Sequence, residues 1–230
     1  MDLKQTVPWG RDFDEYIDMF ALHSMEEGAK IIGCGDGPAS FNAEANTRGI
    51  SATSVDPIYN FSRAELSTRI NEARDEVMSQ VRAKADDYVW NTIKNPDDLE
   101  KRRMRAMGAF LEDYELGLKS KRYVNASLPA LPFQDNAFDI GLCSHFLFLY
   151  SPQVDEQTHI ESVLELCRVA REVRVYPLLS ISDNERSEHL DAVCSSLTDS
   201  GLVFEEVAVN YEFQRGAKSM LRISRTSSKY

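Results

Sequence analysis

The stretch Lys30-Ile-Ile-Gly-Cys-Gly-Asp-Gly-Pro-Ala39, followed at Ser54-Val-Asp56 by a second strand-like run ending in an acid, constrains this chain most. Gly33, Gly35 and Gly37 stand at alternate positions directly after an apolar run. Glycine lets a backbone turn take φ > 0, or pass close to a ligand where a Cβ would intrude. An acid about 20 residues further on, at the end of the next strand, suits the two hydroxyls of a ribose. Together the segments predict a nucleoside-binding crevice at the carboxyl ends of parallel strands.

A dinucleotide-binding turn wants G-x-G-x-x-G, its third glycine allowing close helix–strand packing. Pro38 occupies that third position here and reads as the helix start, since proline is tolerated in a first helical turn. The G-x-G-x-G pattern resembles motif I of the class I S-adenosylmethionine (SAM)-dependent methyltransferases. Leu131-Pro-Phe-Gln-Asp-Asn-Ala-Phe-Asp139 is similar to the segment leading into that family's fourth strand, with Ile140–Cys143 as the strand and Ser144-His145 at its carboxyl end. The runs 205–213 and 219–225, joined through Gln214-Arg-Gly216, resemble its closing antiparallel hairpin. The resemblance covers roughly residues 28–60 and 120–230, and within the family points to uncharacterised bacterial members of the methyltransferase type 11 kind.

That resemblance implies a doubly wound, mostly parallel α/β sheet, Rossmann-like, with an antiparallel C-terminal hairpin, and SAM as cofactor. It implies that Gly33, Cys34, Gly35, Asp36 and Gly37 cradle the cofactor and that Asp56 holds the ribose. Pro57 and Ile58 would form an apolar wall for the adenine, Ser127 and Leu128 would lie in the loop facing it, and Ser144 would be a further neighbour. Two positions depart from the family pattern. Ile31 stands where an acid usually helps to hold the methionine end, with Asp36 a partial substitute, and Ser127 stands where an aspartate often accepts from the adenine amino group. A serine can accept that bond, without charge assistance.

Strand-like and helix-like runs alternate along the 230 residues, which predicts one doubly wound domain spanning 1–230 with room for an insertion. The segment 62–118 is more than twice the length of an ordinary crossover and reads as two helices. One opens with the capping box Ser62-x-x-Glu65, the other with Asn95-Pro96. It is either a lid or substrate wall beside the cofactor, or a stabilising or dimerising hairpin. An earlier helix over 12–22, capped by Asp12 and Glu15, either lies over the cofactor mouth or packs on the sheet edge. Ser151-Pro152 reads as the start of a helix, 172–178 as a fifth strand, and the segment around Leu190–Leu197 as a last helix before Gly201.

A net charge of −11 argues against a nucleic-acid substrate, and the basic residues at 101–105 and 119–122 read as solvated helix faces. No run reaches the ~20 apolar residues of a membrane span. The start, Met-Asp-Leu-Lys-Gln-Thr, lacks a signal-like pattern, and Cys34, Cys143, Cys167 and Cys194 show no C-x-x-C spacing. The expectation is therefore a cytoplasmic protein with reduced thiols and no metal, a small-molecule acceptor and, as one option, a homodimer.

Methyl transfer is an in-line displacement that demands positioning above all, and a base only when the acceptor arrives protonated. His145 is the candidate base, because it alone among the histidines falls at a strand's carboxyl end; the other reading makes it a hydrogen-bonded neighbour. The run from Ser144 to Tyr150 either lines an apolar acceptor pocket or is core, and Tyr211 and Arg215 are placed by topology at the acceptor mouth. Three functions fit these residues: a SAM-dependent methyltransferase, a SAM- or nucleoside-binding protein with weak or no catalysis, and a nicotinamide-dependent oxidoreductase. Pro38 and the 131–139 segment disfavour the last.

Overall fold

The computed structural model describes residues 7–25 and 28–225; the first six residues, on which the absence of a signal was read, lie outside them. Seven strands form one sheet: β1 Lys30–Cys34, β2 Ser51–Val55, β3 Tyr123–Val124, β4 Phe138–Ser144, β5 Ala170–Tyr176, β6 Leu202–Ala208 and β7 Ser219–Arg225. Their spatial order is β3-β2-β1-β4-β5-β7-β6. The first five run parallel, and β7 is antiparallel to both β5 and β6. Ile31, Ile32, Leu142, Cys143, Val173 and Val175 are buried at the sheet centre. Near-continuous apolar strands of this kind belong to parallel sheets covered on both faces. The chain order reverses between β1 and β4, and the carboxyl ends at such a reversal are where open α/β sheets hold ligands.

Six α-helices accompany the described strands: α1 Phe13–Met19, α2 Phe41–Thr47, α3 Arg63–Ala83, α4 Pro96–Lys119, α5 Glu156–Val169 and α6 Leu190–Asp199. Local chemistry sets their starts. Ser62 and Glu65 exchange side-chain bonds with each other's backbone amides, Asn95 accepts from the Asp98 amide, and Pro96 fills the first turn of α4. α4 packs on α2 and β3 and so takes the place of the ordinary crossover, while α3 is the added helix, packed on α4. Tyr59, Phe110, Tyr114 and Tyr123 form the aromatic contact that fixes α4 to the sheet edge.

Several boundaries differ from the sequence reading: α1 ends at Met19 rather than 22, and β4 spans Phe138–Ser144 rather than 140–143. Pro38 lies in a turn and α2 begins only at Phe41, after Ser40. α5 begins at Glu156, capped by Asp155, so Ser151-Pro152 belongs to the preceding turns. β5 starts two residues early because its Phe138–Ala170 pairing with β4 begins there. β6 ends at Ala208, where its pairing with Ser219 ends, leaving Tyr211 and Phe213 in a loop. Apolar alternation runs past the true end of β6 and falls short of the true start of β5, because pairing decides where a strand starts and stops.

The two large additions to the sheet, α1 and the 62–118 insertion, meet in a buried ion-pair cluster. Asp12 and Glu15 form a capping box on α1: Asp12 accepts from the Glu15 amide at 3.0 Å, and Glu15 from the Asp12 amide at 3.2 Å. The same two acids receive α4. Arg102 binds Asp12 through two bonds of 2.7 and 2.8 Å, and Arg103 binds Glu15 through two of 2.5 and 2.8 Å. Tyr211, from the loop after β6, donates to Glu15 at 2.6 Å. Burial alone would raise the Glu15 carboxyl, but Arg103, Arg102 and Arg11 outweigh it and hold the group down at about 2. Removing one partner of such a pair strands a buried charge. Glu15→Ala is therefore expected to cost about 3–5 kcal/mol of stability in urea denaturation, and a Glu15→Leu/Arg103→Met double variant far less than that.

Candidate functional site

A cavity of about 470 Å³ opens at the carboxyl edge of the sheet, over the ends of β1, β2 and β4. Its floor is the glycine turn. Gly35 and Gly37 both have positive φ, +70° and +56°, which reverses the chain between β1 and the approach to α2. Two carboxylates hold this turn from below. Asp56 accepts from the amides of Gly37 and Ile58, both at 2.9 Å, tying the end of β2 to the turn. Asp36 is taken up by protein groups: Tyr16 donates to it at 2.8 Å and Ser54 at 2.5 Å. Tyr59 donates to the Gly37 carbonyl at 2.8 Å and closes the clamp.

The glycines act for different reasons. At Gly33 an added Cβ would fall 2.0 Å from the Asp36 carboxylate, so this glycine makes room for a protein group; it lies within β1, off the cavity wall. At Gly35 the obstacle would be Phe146, 2.8 Å away. Gly37 faces open space, so only its φ demands glycine. Of the two reasons expected for these glycines, positive φ holds at Gly35 and Gly37, while Gly33 makes room for Asp36.

Of the residues expected to hold a cofactor, Cys34, Gly35, Asp36, Gly37, Asp56, Pro57, Ile58, Ser127, Leu128 and Ser144 all line this one cavity, and His145 joins them. Tyr59 is buried beneath the turn, and neither it nor Asn60 nor Phe61 reaches the cavity wall. Tyr211 is engaged with Glu15, and Arg215 with the carbonyls of Asp86 and Tyr88; both stand off the wall, correcting their placement at the acceptor mouth. Phe213 and Gln214 from the same loop occupy that wall instead. Among the described residues no His, Cys, Asp and Glu group of three or more is arranged for a metal, and no helix is long and apolar enough to cross a membrane.

His145 takes a left-handed backbone conformation, φ +53°, just past β4. Its amide donates to the Tyr176 carbonyl, its ring meets the Tyr176 ring edge-on, and Nδ1 lies 3.0 Å from Ser144 Oγ. Burial, with the charges of Arg11 and Arg103, pushes its pKa well below 6.5, so the imidazole is neutral at pH 7.

The sequence reading missed the opposite wall. Arg69, Ala73 and Val77 of α3, Leu99 and Arg103 of α4, and Val7–Trp9 with Arg11 from the segment before α1 all face the same space. The N-terminal segment crosses the glycine turn at contact distance. The Arg11 carbonyl accepts from the Ser40 amide at 3.0 Å, and a Cβ on Gly10 would sit 2.1 Å from the Pro38 carbonyl oxygen. Gly10 was the available signal, as a glycine ahead of an arginine and a cap where no turn was otherwise needed.

No protein-family profile matches the chain. An uncharacterised protein of Methanocaldococcus jannaschii is 34% identical over 226 residues, 98% of this chain and 99% of that one. The chain belongs to that protein's family. Among solved structures, a protein of Methanococcus maripaludis described as a candidate SAM-dependent methyltransferase aligns at 11% identity and a TM-score of 0.50, covering 94% of this chain and 88% of its own. The magnesium protoporphyrin IX methyltransferase of Synechocystis, solved with SAM, aligns at 12% identity and a TM-score of 0.46, over 90% and 74% of the two chains. The fold is that of the class I SAM-dependent methyltransferases.

Asp36 supplies a pH test of this site. Burial, opposed by the Ser54 and Tyr16 bonds, raises its pKa from 3.8 to about 6. The folded state thus holds this proton more tightly than the unfolded one. Stability from Asp36 is fully present below pH 4 and is lost as pH rises to about 6. The loss is about 3 kcal/mol. Urea unfolding of wild type and Asp36→Asn at pH 4 and pH 7 should show the variant gaining on the wild type by roughly that amount at the higher pH.

Proposed function

We propose that the protein is a SAM-dependent methyltransferase acting on a small-molecule acceptor. The observation that carries this reading is the single cavity in which the glycine turn, Asp56 and a wall from the insertion face one another. Its volume of about 470 Å³ falls in the range of small-ligand sites, roughly 300–1,000 Å³. Each Asp56 oxygen accepts one backbone bond, and a carboxylate has about four lone-pair sites, so acceptor capacity remains for two ribose hydroxyls. Pro57, Ile58 and Leu128 offer apolar surface on either side of a base, with the Ser127 hydroxyl beside them. SAM, when bound, supplies a methyl group on a sulfonium that a nucleophile displaces in line.

The chain's own task is then to hold the acceptor and exclude water. α3 and the segment before α1 provide the cover. His145 can receive a proton at Nε2 when its Nδ1–H is donated to Ser144 Oγ, and its neutral state at pH 7 permits this. Burial also makes it a weak base, so this role fits an acceptor that needs little help. The anionic balance of the whole chain favours a small acceptor over a nucleic acid.

A second reading, a nucleoside-binding protein without efficient chemistry, is favoured by one observation. The Asp36 carboxylate is taken by Tyr16 and Ser54, so it does not replace the acid missing at Ile31. Tight SAM binding without methyl transfer to any of a panel of small acceptors would favour that reading.

Asp56→Ala should weaken SAM by about 1.5–3 kcal/mol in titration calorimetry, because charge-assisted bonds to the ribose are removed. Unchanged affinity would end the assignment, and tighter binding of NAD than of SAM would transfer it to the nicotinamide reading. The insertion gives an independent measurement. Arg69, Ala73 and Val77 border the cavity, so SAM should slow amide hydrogen exchange in α3 if that helix orders over the ligand. Equal exchange with and without SAM, already slow in the free protein, would leave α3 as scaffold alone.

A further inference from the structure

Among the described residues the cavity holds one half-buried cation that no carboxylate bonds directly, Arg11, which Glu15 offsets only through space. Arg69 also lines the cavity, but it is exposed and lies over the Phe61 ring. Arg102 is matched by Asp12 and Arg103 by Glu15, each through two bonds. Arg11 lines the same space, and among the described residues no carboxylate pairs with it. One Arg11 Nη donates to the Trp9 carbonyl at 3.2 Å. Its Nε is buried without a partner, as is the Nε of Arg103 close by. The cavity's other acids are committed or remote. Asp36 is held by Tyr16 and Ser54, Asp56 by two amides, Glu72 and Glu76 are exposed on α3, and the half-buried Asp87 makes no ion pair with Arg11.

An arginine cannot escape such a place by losing its proton, since guanidinium stays charged even when burial lowers its pKa. A desolvated guanidinium with free donors is unfavourable unless an anion completes it. Its planar donor fork matches a carboxylate best, through two parallel bonds. The backbone of Arg11 is also fixed in advance: Gly10 lies against Pro38, and the Arg11 carbonyl takes the Ser40 amide. The backbone that carries the guanidinium is therefore in place before any ligand arrives, and one Nη is already anchored on Trp9, which favours a built recognition element over a mobile surface charge.

We infer that Arg11 is a carboxylate-binding residue of this cavity, completing its donor fork with an anionic group of the bound ligand. The inference rests on the nucleoside-site reading for its ligand classes only. A carboxylate can come from the amino-acid end of the cofactor or from the acceptor, and both use the same chemistry at Arg11.

Calorimetry on wild type, Arg11→Gln and Arg11→Lys separates these sources, with thermal melting as the check that each variant folds. Three probes are needed: S-adenosylhomocysteine, 5′-methylthioadenosine, which keeps the nucleoside but lacks the amino-acid carboxylate, and benzoate added to homocysteine-form-saturated protein, with benzamide as its neutral control. If Arg11 holds the cofactor's carboxylate, Arg11→Gln weakens S-adenosylhomocysteine at least tenfold, leaves 5′-methylthioadenosine unchanged, and Arg11→Lys restores part of the loss. If it holds the acceptor's, both nucleosides bind every variant alike, whereas benzoate binds wild type over benzamide and loses that preference in Arg11→Gln. Folded variants in which neither S-adenosylhomocysteine nor benzoate depends on residue 11 overturn the inference. Failure of 5′-methylthioadenosine to bind wild type would instead count against the nucleoside site, and a benzoate preference that still depends on Arg11 would then uphold the anion site alone.

Discussion

The structure above the sheet depends on the buried pairing of Glu15 with Arg103. A seven-stranded sheet of this order exposes the carboxyl ends of β1, β2 and β4 as an open edge. What turns that edge into an enclosed cavity is material from three distant parts of the chain: the segment before α1, the helices of the insertion, and the loop between β6 and β7. Glu15 is where they join, through its own capping bond on α1, Arg103 of α4 and Tyr211 of the loop. A buried ion pair adds little net stability compared with well-packed apolar groups, but it is directional. Here its direction sets how α4 and the β6–β7 loop stand over the glycine turn.

Below the cavity the same economy recurs with smaller groups. Tyr16 leaves α1 on the face next to Glu15 and donates to Asp36, so the helix that carries the upper cluster also braces the turn beneath it. Its ring stacks on Phe41 at 4.4 Å, and Phe13 stacks on the same ring at 5.7 Å. α1 is only seven residues long and would not be stable alone. It persists because one face meets α2 and the other meets α4, and this double contact transmits the position of the insertion to the glycine turn.

The mostly parallel sheet, the closing hairpin and both insertion helices could be read from the sequence, whereas the order of the strands could not. Each carries local signals: apolar runs between glycines, the Ser62–Glu65 box, and the Asn95-Pro96 cap. The floor of the cavity could be read for the same reason, because residues 34–37 and 56–58 are contiguous and lie at the ends of β1 and β2. The remainder of the cavity could not. Arg11, Arg69, Arg103 and Phe213 come together from four separate elements, and nothing in the spacing of one shows which neighbour it will face. The basic residues at 101–105 read as a solvated face, since charge runs on helices usually are. Lys101 and Arg105 are indeed exposed, but Arg103 is fully buried and Arg102 mostly so.

The segment after β4 shows how one apolar run can serve two purposes. Read from sequence, Ser144–Tyr150 was either pocket or core, and its residues divide between them. Leu147 and Phe148 are fully buried, whereas Phe146, Leu149 and Tyr150 line the cavity. Neither a strand nor a helix produces that division, because their periods of 2.0 and 3.6 would not place 147–148 on one side and both flanks on the other. The chain achieves it with two left-handed residues, His145 at φ +53° and Phe148 at φ +63°. The strain of the second is offset by His159, whose Nε2 accepts the Phe148 amide at 3.0 Å from within α5. His145 therefore reaches the cavity through a backbone geometry held from below, not through simple extension of β4. A residue held there by a left-handed turn and by Tyr176 has its ring direction fixed before any acceptor binds. Positioning of that kind is what the methyl transfer proposed above would require of its surroundings.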